Sequence, residues 1–148
     1  MKINGSRTLP APVSTVWAFL MDPEAIASVM PGCEKLEATG PDTYQATLKI
    51  GVAAIKGTYT GSVQLTDKQP PTAYKMLIEG SATTGFVKGE AAITLREQDG
   101  QTLLTYDADT QVGGLIATVG QRIIGGAAKM IINQSLGKLE EAVQQYKG

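Results

Sequence analysis

Between Cys33 and Val112 apolar side chains fall on alternate positions, and a single long apolar tract follows them. Tyr44, Ala46, Leu48 and Ile50 alternate with polar residues, as do Tyr59, Gly61, Val63 and Leu65, then Ala91, Ile93 and Leu95, then Leu104, Tyr106 and Ala108. A period of two puts each set on one side of a strand, so one side of the resulting sheet must be covered. GPDT, QPPT and EQDGQ carry turn residues between these runs, and the region reads as six antiparallel strands. Only the tract after Val112 is long enough to cover them.

Upstream, INGSRTL reads as a first strand. Val13, Val16, Trp17 and Leu20 recur at helical spacing, which predicts a short helix. Asp22 before Pro23 and Glu24 is an N-cap followed by proline at the first helical position, starting a second helix that Pro31-Gly32 ends. The terminal tract predicts a helix of about thirty residues, roughly 45 Å long at 1.5 Å per residue, the width of a seven-stranded sheet. The expected fold class is therefore α+β, a single domain over residues 1–148. Its seven-stranded antiparallel sheet curves around a long C-terminal helix, with two short helices after strand 1.

That last helix is built oddly, with Gly120, Gly125, Gly126 and Gly137 all placed inside it. Each interior glycine costs roughly 1 kcal/mol relative to alanine, together about 4 kcal/mol, against a domain stability of about 5–15 kcal/mol. Close approach, a bend, or room for a ligand would compensate. The inward strand positions Ala46, Gly57, Gly61, Gly89, Ala91 and Ala108 are small as well, facing Gly120, Gly126 and Ala127. A curved sheet cannot follow a straight helix along its whole length, which favours volume over contact. The expectation is an apolar pocket with Trp17, Tyr59, Phe86, Tyr106 and Ile123 as wall and Gly61, Ala91 and Gly126 lining it. The alternative is that the glycines ease curvature and packing and no cavity exists.

Along the same helix Ile116, Val119, Ile123, Ala127 and Met130 form a stripe assigned to the interior, while Leu115, Ile124, Ala128, Ile131 and Ile132 add apolar surface beyond it. The first half of the helix thus carries more apolar surface than the sheet covers, a mark of membrane or protein contact. Arg122 and Lys129, two turns apart, either meet lipid headgroups or a polar group on a ligand, or extend over the surface. Gly113-Gly114 and Gly120 are predicted to let this half swing outward.

Composition removes several functions. With 13 basic and 14 acidic residues and a net charge of −1, no electrostatic footprint for nucleic acid exists. The absence of histidine leaves no imidazole base, no Ser/His or Cys/His pair and no histidine metal site, so neither catalytic nor metal-binding residues are expected. Cys33 reads as structural. Asp107 and Asp109 lie opposite Leu104, Tyr106 and Ala108 and so face solvent, and neither GGLIATVG nor GGAAK has phosphate-loop spacing. MKINGSRTLP lacks a signal-peptide core, and Gln121, Arg122 and Lys129 interrupt the most apolar tract, which predicts a cytoplasmic protein.

The order of elements resembles the helix-grip superfamily that contains START domains and the birch-pollen allergen. DPEAIASVMPGCEKLE, KGTYTGSVQLTD followed by QPP, GFVKGEAAITL and TYDADTQVGG resemble the CoxG family of carbon monoxide dehydrogenase proteins over essentially the whole chain, with MPGCE and YDAD…QVGG the most specific parts. The resemblance implies a non-enzymatic accessory protein of a carbon monoxide dehydrogenase-type molybdenum hydroxylase. It implies a hydrophobic small molecule, quinone- or lipid-like, as ligand, with no cofactor required. The molybdenum hydroxylase itself is the implied protein partner, and a peripheral contact with the inner face of the cell membrane is also implied. An assembly or recruitment factor with an incidental cavity, and an enzyme acting inside the cavity, are the alternatives.

Overall fold

The computed structural model describes residues 1–146; the last two positions of the domain assigned from sequence, 147 and 148, lie outside them. Seven strands make one antiparallel sheet: β1 (Lys2–Leu9), β2 (Cys33–Gly40), β3 (Thr43–Ile50), β4 (Gly57–Gln69), β5 (Ala73–Ala82), β6 (Gly85–Gln98) and β7 (Gln101–Gly113). Their order is β1-β7-β6-β5-β4-β3-β2, so the first strand pairs with the last. Helices α1 (Val13–Leu20) and α2 (Pro23–Val29) carry the chain from one edge of the sheet to the other. The Asp22 carboxylate accepts from the backbone N–H of Glu24 at 3.1 Å and of Ala25 at 3.5 Å, the cap predicted for α2. At the β6–β7 hairpin Asp99 (φ 53°) and Gly100 (φ 81°) both take the positive φ of a tight two-residue turn. The result is the helix-grip architecture expected.

The terminal helix departs from expectation. In place of one helix of about thirty residues, a 3₁₀ turn (Leu115–Val119) is followed by α3 (Gln121–Val143). Gly114 (φ 80°) and Gly120 (φ 94°) bracket the turn in backbone conformations that no helix contains, so Gly120 is a break and not an interior residue. Gly137, which is interior, sits under the Arg7 guanidinium. Arg7 reaches across from β1 to the Glu140 carboxylate at 3.3 Å.

The packed core occupies one end of the molecule. Leu9, Val16, Phe19, Ile93, Leu95 and Leu104 meet Leu136, Leu139 and Val143 from the C-terminal half of α3 in one buried cluster. Each such side chain contributes roughly 1.5–3 kcal/mol by leaving water. The buried Thr102 hydroxyl donates to the Ala11 carbonyl at 2.8 Å, closing the corner between β1 and α1. The Tyr146 hydroxyl donates to Asp22 at 2.9 Å, and its ring meets Phe19 edge-on at 5.0 Å, tying the chain after α3 to α1 and α2. The C-terminal half of α3 is therefore held from several sides. Its N-terminal half lies over the other end of the sheet.

Candidate functional site

Strand register turns the concave face into rows. Moving away from the packed end, the rows are Leu65–Met76–Ala91–Ala108–Ile3, then Tyr44–Val63–Ile78–Gly89–Thr110, then Ala46–Gly61–Gly80–Val87–Val112. Apart from Ala91 and Ile3, which are buried, every residue in these rows is only half-buried. Inward-facing valine and isoleucine would be occluded if α3 lay against them. Sheet and helix thus diverge at this end and leave an open concavity. On its β7 side a pocket of about 400 Å³ is bordered by Met1, Phe86, Thr110, Gln111 and Val112 of the sheet side and by Ala117, Gln121 and Ile124 of the terminal segment. Gly126 has no part in this space: it is exposed beside Arg122 and Lys129, away from the buried Ile124 and Ala127.

Three segments frame the mouth: the 3₁₀ turn Ala53–Ile55 before β4, the turn between β5 and β6, and the 3₁₀ turn Leu115–Val119. The Tyr59 hydroxyl donates to the Ile55 carbonyl at 2.8 Å. Burial pushes the Tyr59 phenol up from its usual value, and a hydrogen bond with Thr84 partly offsets this. The Ile116 N–H donates to the Thr84 carbonyl at 2.9 Å. Tyr59 and Thr84 therefore connect all three segments.

The residues singled out from sequence separate into groups. Tyr59, Ala91 and Tyr106 are on the concave face, whereas Gly126, expected to line the pocket, is exposed on the side of α3 that carries Arg122 and Lys129, because Ile124 and Ala127 take the buried side. Trp17 belongs to the packed end, edge-on to Tyr74 at 5.7 Å. Phe86 is a correction in part: it shares the alternation of Lys88 and Glu90 and not that of Gly89 and Ala91, so it is 45% exposed with its ring over Gly113, yet it borders the 400 Å³ pocket at this end of the sheet. Gly61 is a second correction. It lies in an inward row, but a Cβ there would collide with the Glu79 carbonyl, so this glycine serves close strand contact and not volume.

The interior stripe on the terminal segment also needs correcting. Ile116 and Ala127 are buried, yet Val119, Ile123 (55%) and Met130 (51%) are exposed, as is Leu115 (70%). The buried side of early α3 is set by Ile124 and Ala127, which leaves Ile123 and Met130 on a flank at the mouth. Arg122 and Lys129 point away from the sheet. Sequence reading passed over Tyr74, Ile78 and Val87, although the alternation in AYKMLIEGSA places the first two inward.

A wider groove of about 660 Å³ lies on the outer face, lined largely by polar side chains such as Gln45, Thr47, Thr60 and Ser62. Its charges are mutually paired, Lys35 with Glu37 at 3.2 Å and Lys88 with Glu79 at 3.9 Å, as on a solvated sheet surface. Asp109 is on this outer face as well, 3.6 Å from the N-terminal amine. Among the described residues no group of three or more Cys, Asp or Glu side chains is placed to hold a metal, and no helix is long and apolar enough to cross a membrane.

Comparison with solved structures places the fold among known ones. A conserved protein from Geobacillus kaustophilus is similar at 40% identity with a TM-score of 0.95, over 98% of this chain and 96% of that one. A START superfamily protein from Mycobacterium smegmatis has a TM-score of 0.77 at 14% identity, covering 97% of both chains. The Zhui aromatase/cyclase from Streptomyces sp. R1128 has a TM-score of 0.68 at 19% identity, over 98% of this chain and 94% of its own. At such identities the last two define the fold alone. No curated protein sequence matches the chain. Residues 5–144 match the family described as the G subunit of carbon monoxide dehydrogenase, CoxG. With that match spanning nearly the whole START-like domain, the chain belongs to the CoxG family.

Proposed function

We propose that this protein is a non-enzymatic accessory of a carbon monoxide dehydrogenase-type molybdenum hydroxylase that holds a hydrophobic, quinone- or lipid-like molecule on its concave face. The observation that carries the reading is the rows of half-buried inward residues, among them Val63, Ile78, Val87 and Val112, apolar surface that α3 leaves incompletely covered. Membership of the CoxG family supports the dehydrogenase as partner. Native mass spectrometry of freshly purified protein, followed by solvent extraction, is expected to reveal a stoichiometric apolar molecule. A protein that is empty from every preparation, and that takes up neither quinone nor lipid, would remove this reading.

A second reading, recruitment of the enzyme to a membrane, is favoured by the exposed Leu115, Val119, Ile123 and Met130 at the mouth. Flotation with vesicles separates the two: recruitment requires co-flotation that Leu115→Ser and Ile123→Ser abolish, whereas holding a ligand does not. The aromatase/cyclase likeness motivates a weaker third reading, chemistry inside the cavity. Turnover of a molecule held in the cavity would establish it.

A further inference from the structure

The connection between β3 and β4, residues 51–56, crosses one side of the mouth. It is apolar and uncharged up to its last residue, Lys56. Ile50 and Gly57 form the last rung between the two strands, and beyond it, among the described residues, no backbone hydrogen bond joins the connection to another segment. Its own bond, from the Ile55 N–H to the Val52 carbonyl at 3.0 Å, is internal. Gly51 is exposed, and a Cβ built on it would meet nothing within 4 Å. Val52 and Ile55 are half-buried, and the turn Ala53–Ile55 lies beside α3 and the turn Leu115–Val119. A segment held by so few bonds belongs to the part of a fold that opens first.

The other side of the mouth is fixed. A Cβ on Gly85 would collide with the Gly113 carbonyl, and one on Gly114 would stand 2.6 Å from the Gly85 Cα, so the β5–β6 turn and the start of the terminal segment meet backbone to backbone. The Ile116 N–H donates to the Thr84 carbonyl at 2.9 Å, and the buried Ile116 side chain lies over Gly85. Tyr59 links the loose side to this fixed one. Its ring leans back over Gly57, and its hydroxyl donates to the Ile55 carbonyl at 2.8 Å and shares a hydrogen bond with the Thr84 side chain. We propose that residues 51–56 are a strap across the mouth, latched to Thr84 through the Tyr59 hydroxyl, and that unlatching lets an apolar molecule pass between the strap and the turn Leu115–Val119. Exposed Leu115 and Val119 face that passage from the turn, Val52 and Ile55 from the strap, and neither 50–55 nor 113–121 carries a charge that a passing molecule would desolvate. The passage rests on the ligand-holding reading above; the latch does not. Tyr59 is thereby a positioning residue, acting on the ligand through the strap.

Trypsin reads the latch without any ligand, because Lys56 lies in the strap and Arg122 outside it. Loss of one neutral hydrogen bond raises the open population about three- to tenfold, and cleavage tracks that population while reclosing is fast. Tyr59→Phe and Thr84→Val are each expected to speed cleavage after Lys56 by about that factor and to leave cleavage after Arg122 within about twofold; Thr84→Ser is expected to restore the wild-type rate. Unchanged cleavage after Lys56 in either of the first two variants, or an equal rise at both sites, overturns the latch. With 2-methyl-1,4-naphthoquinone as probe, stopped-flow fluorescence is expected to show Tyr59→Phe raising association and release rates together, with Kd within about twofold. A weaker Kd at an unchanged association rate would make Tyr59 a ligand contact and overturn the gating role. Failure of the wild-type protein to take up the probe overturns the passage together with the ligand-holding reading, and the cleavage result still decides the latch.

Discussion

At the scale of single residues, identical side chains have opposite physical roles. Gly61 and Gly126 both read from sequence as pocket lining. A Cβ at 61 collides with the Glu79 carbonyl of the neighbouring strand, whereas a Cβ at 126 meets nothing. Gly61→Ala is therefore expected to destabilise by about 1–3 kcal/mol, the usual range for overpacking. Gly126→Ala is expected to stabilise by about 0.5–1 kcal/mol, because it removes backbone freedom from the unfolded chain at no steric expense. Urea titration of both variants checks the signs. Equal destabilisation would mean that a side chain at 126 meets a neighbour where the helix surface is open here. Phe86 shows how much was legible without the structure: alternation already paired it with Lys88 and Glu90, off the concave face, while its place beside the pocket at the end of the sheet came only with the fold. Tyr74 was equally legible by alternation.

At the scale of elements, the terminal segment divides into a loose and a held part. The 3₁₀ turn Leu115–Val119 is pinned by buried Ile116 and its bond to Thr84, with positive-φ glycines at either end. The second half of α3 is embedded in the core cluster. Hydrogen exchange is expected to be faster over residues 114–126 than over 135–143 in the ligand-free protein, and to slow in the first window when 2-methyl-1,4-naphthoquinone binds. Gly120→Ala, which forces a side chain into φ 94°, is expected to cost about 1–3 kcal/mol. Equal protection of the two windows, unaffected by ligand, would rule out a moving mouth. The break at Gly120 was hidden in the sequence because an amphipathic pattern runs through it, and only the backbone dihedral distinguishes a glycine inside a helix from one that ends it.

At the scale of the whole molecule, pH stability follows from the absence of histidine and the burial of phenols. Tyr74 and Tyr59 have folded-state values raised above 10.0, first of all by burial. Their stabilisation is complete below about pH 10 and is lost as pH rises, because the unfolded chain releases these protons first. Thermal stability is expected to be flat across neutrality and to fall above about pH 10, by up to about 1.4 kcal/mol per pH unit from Tyr74. Tyr74→Phe should reduce that slope. An unchanged alkaline limb in the variant would place the Tyr74 phenol in solvent.

What the sequence determined by itself was the kind, number and order of the elements. Alternation of apolar residues, the Asp22–Pro23 cap and the Asp99-Gly100 turn act over a few neighbouring residues, so they are visible to a local reading, and the segments resembling the CoxG family agreed with them. Which small residues make contact and which leave space was decided only by tertiary structure. The neighbour that excludes a Cβ at Gly61 is Glu79, the ring that needs Gly5 bare is that of Tyr106, and the guanidinium over Gly137 comes from Arg7. The same holds for the flank of α3 left at the mouth. Each depends on the distance between elements far apart in the chain, and sheet curvature sets that distance through the sum of many weak contacts that no local pattern encodes.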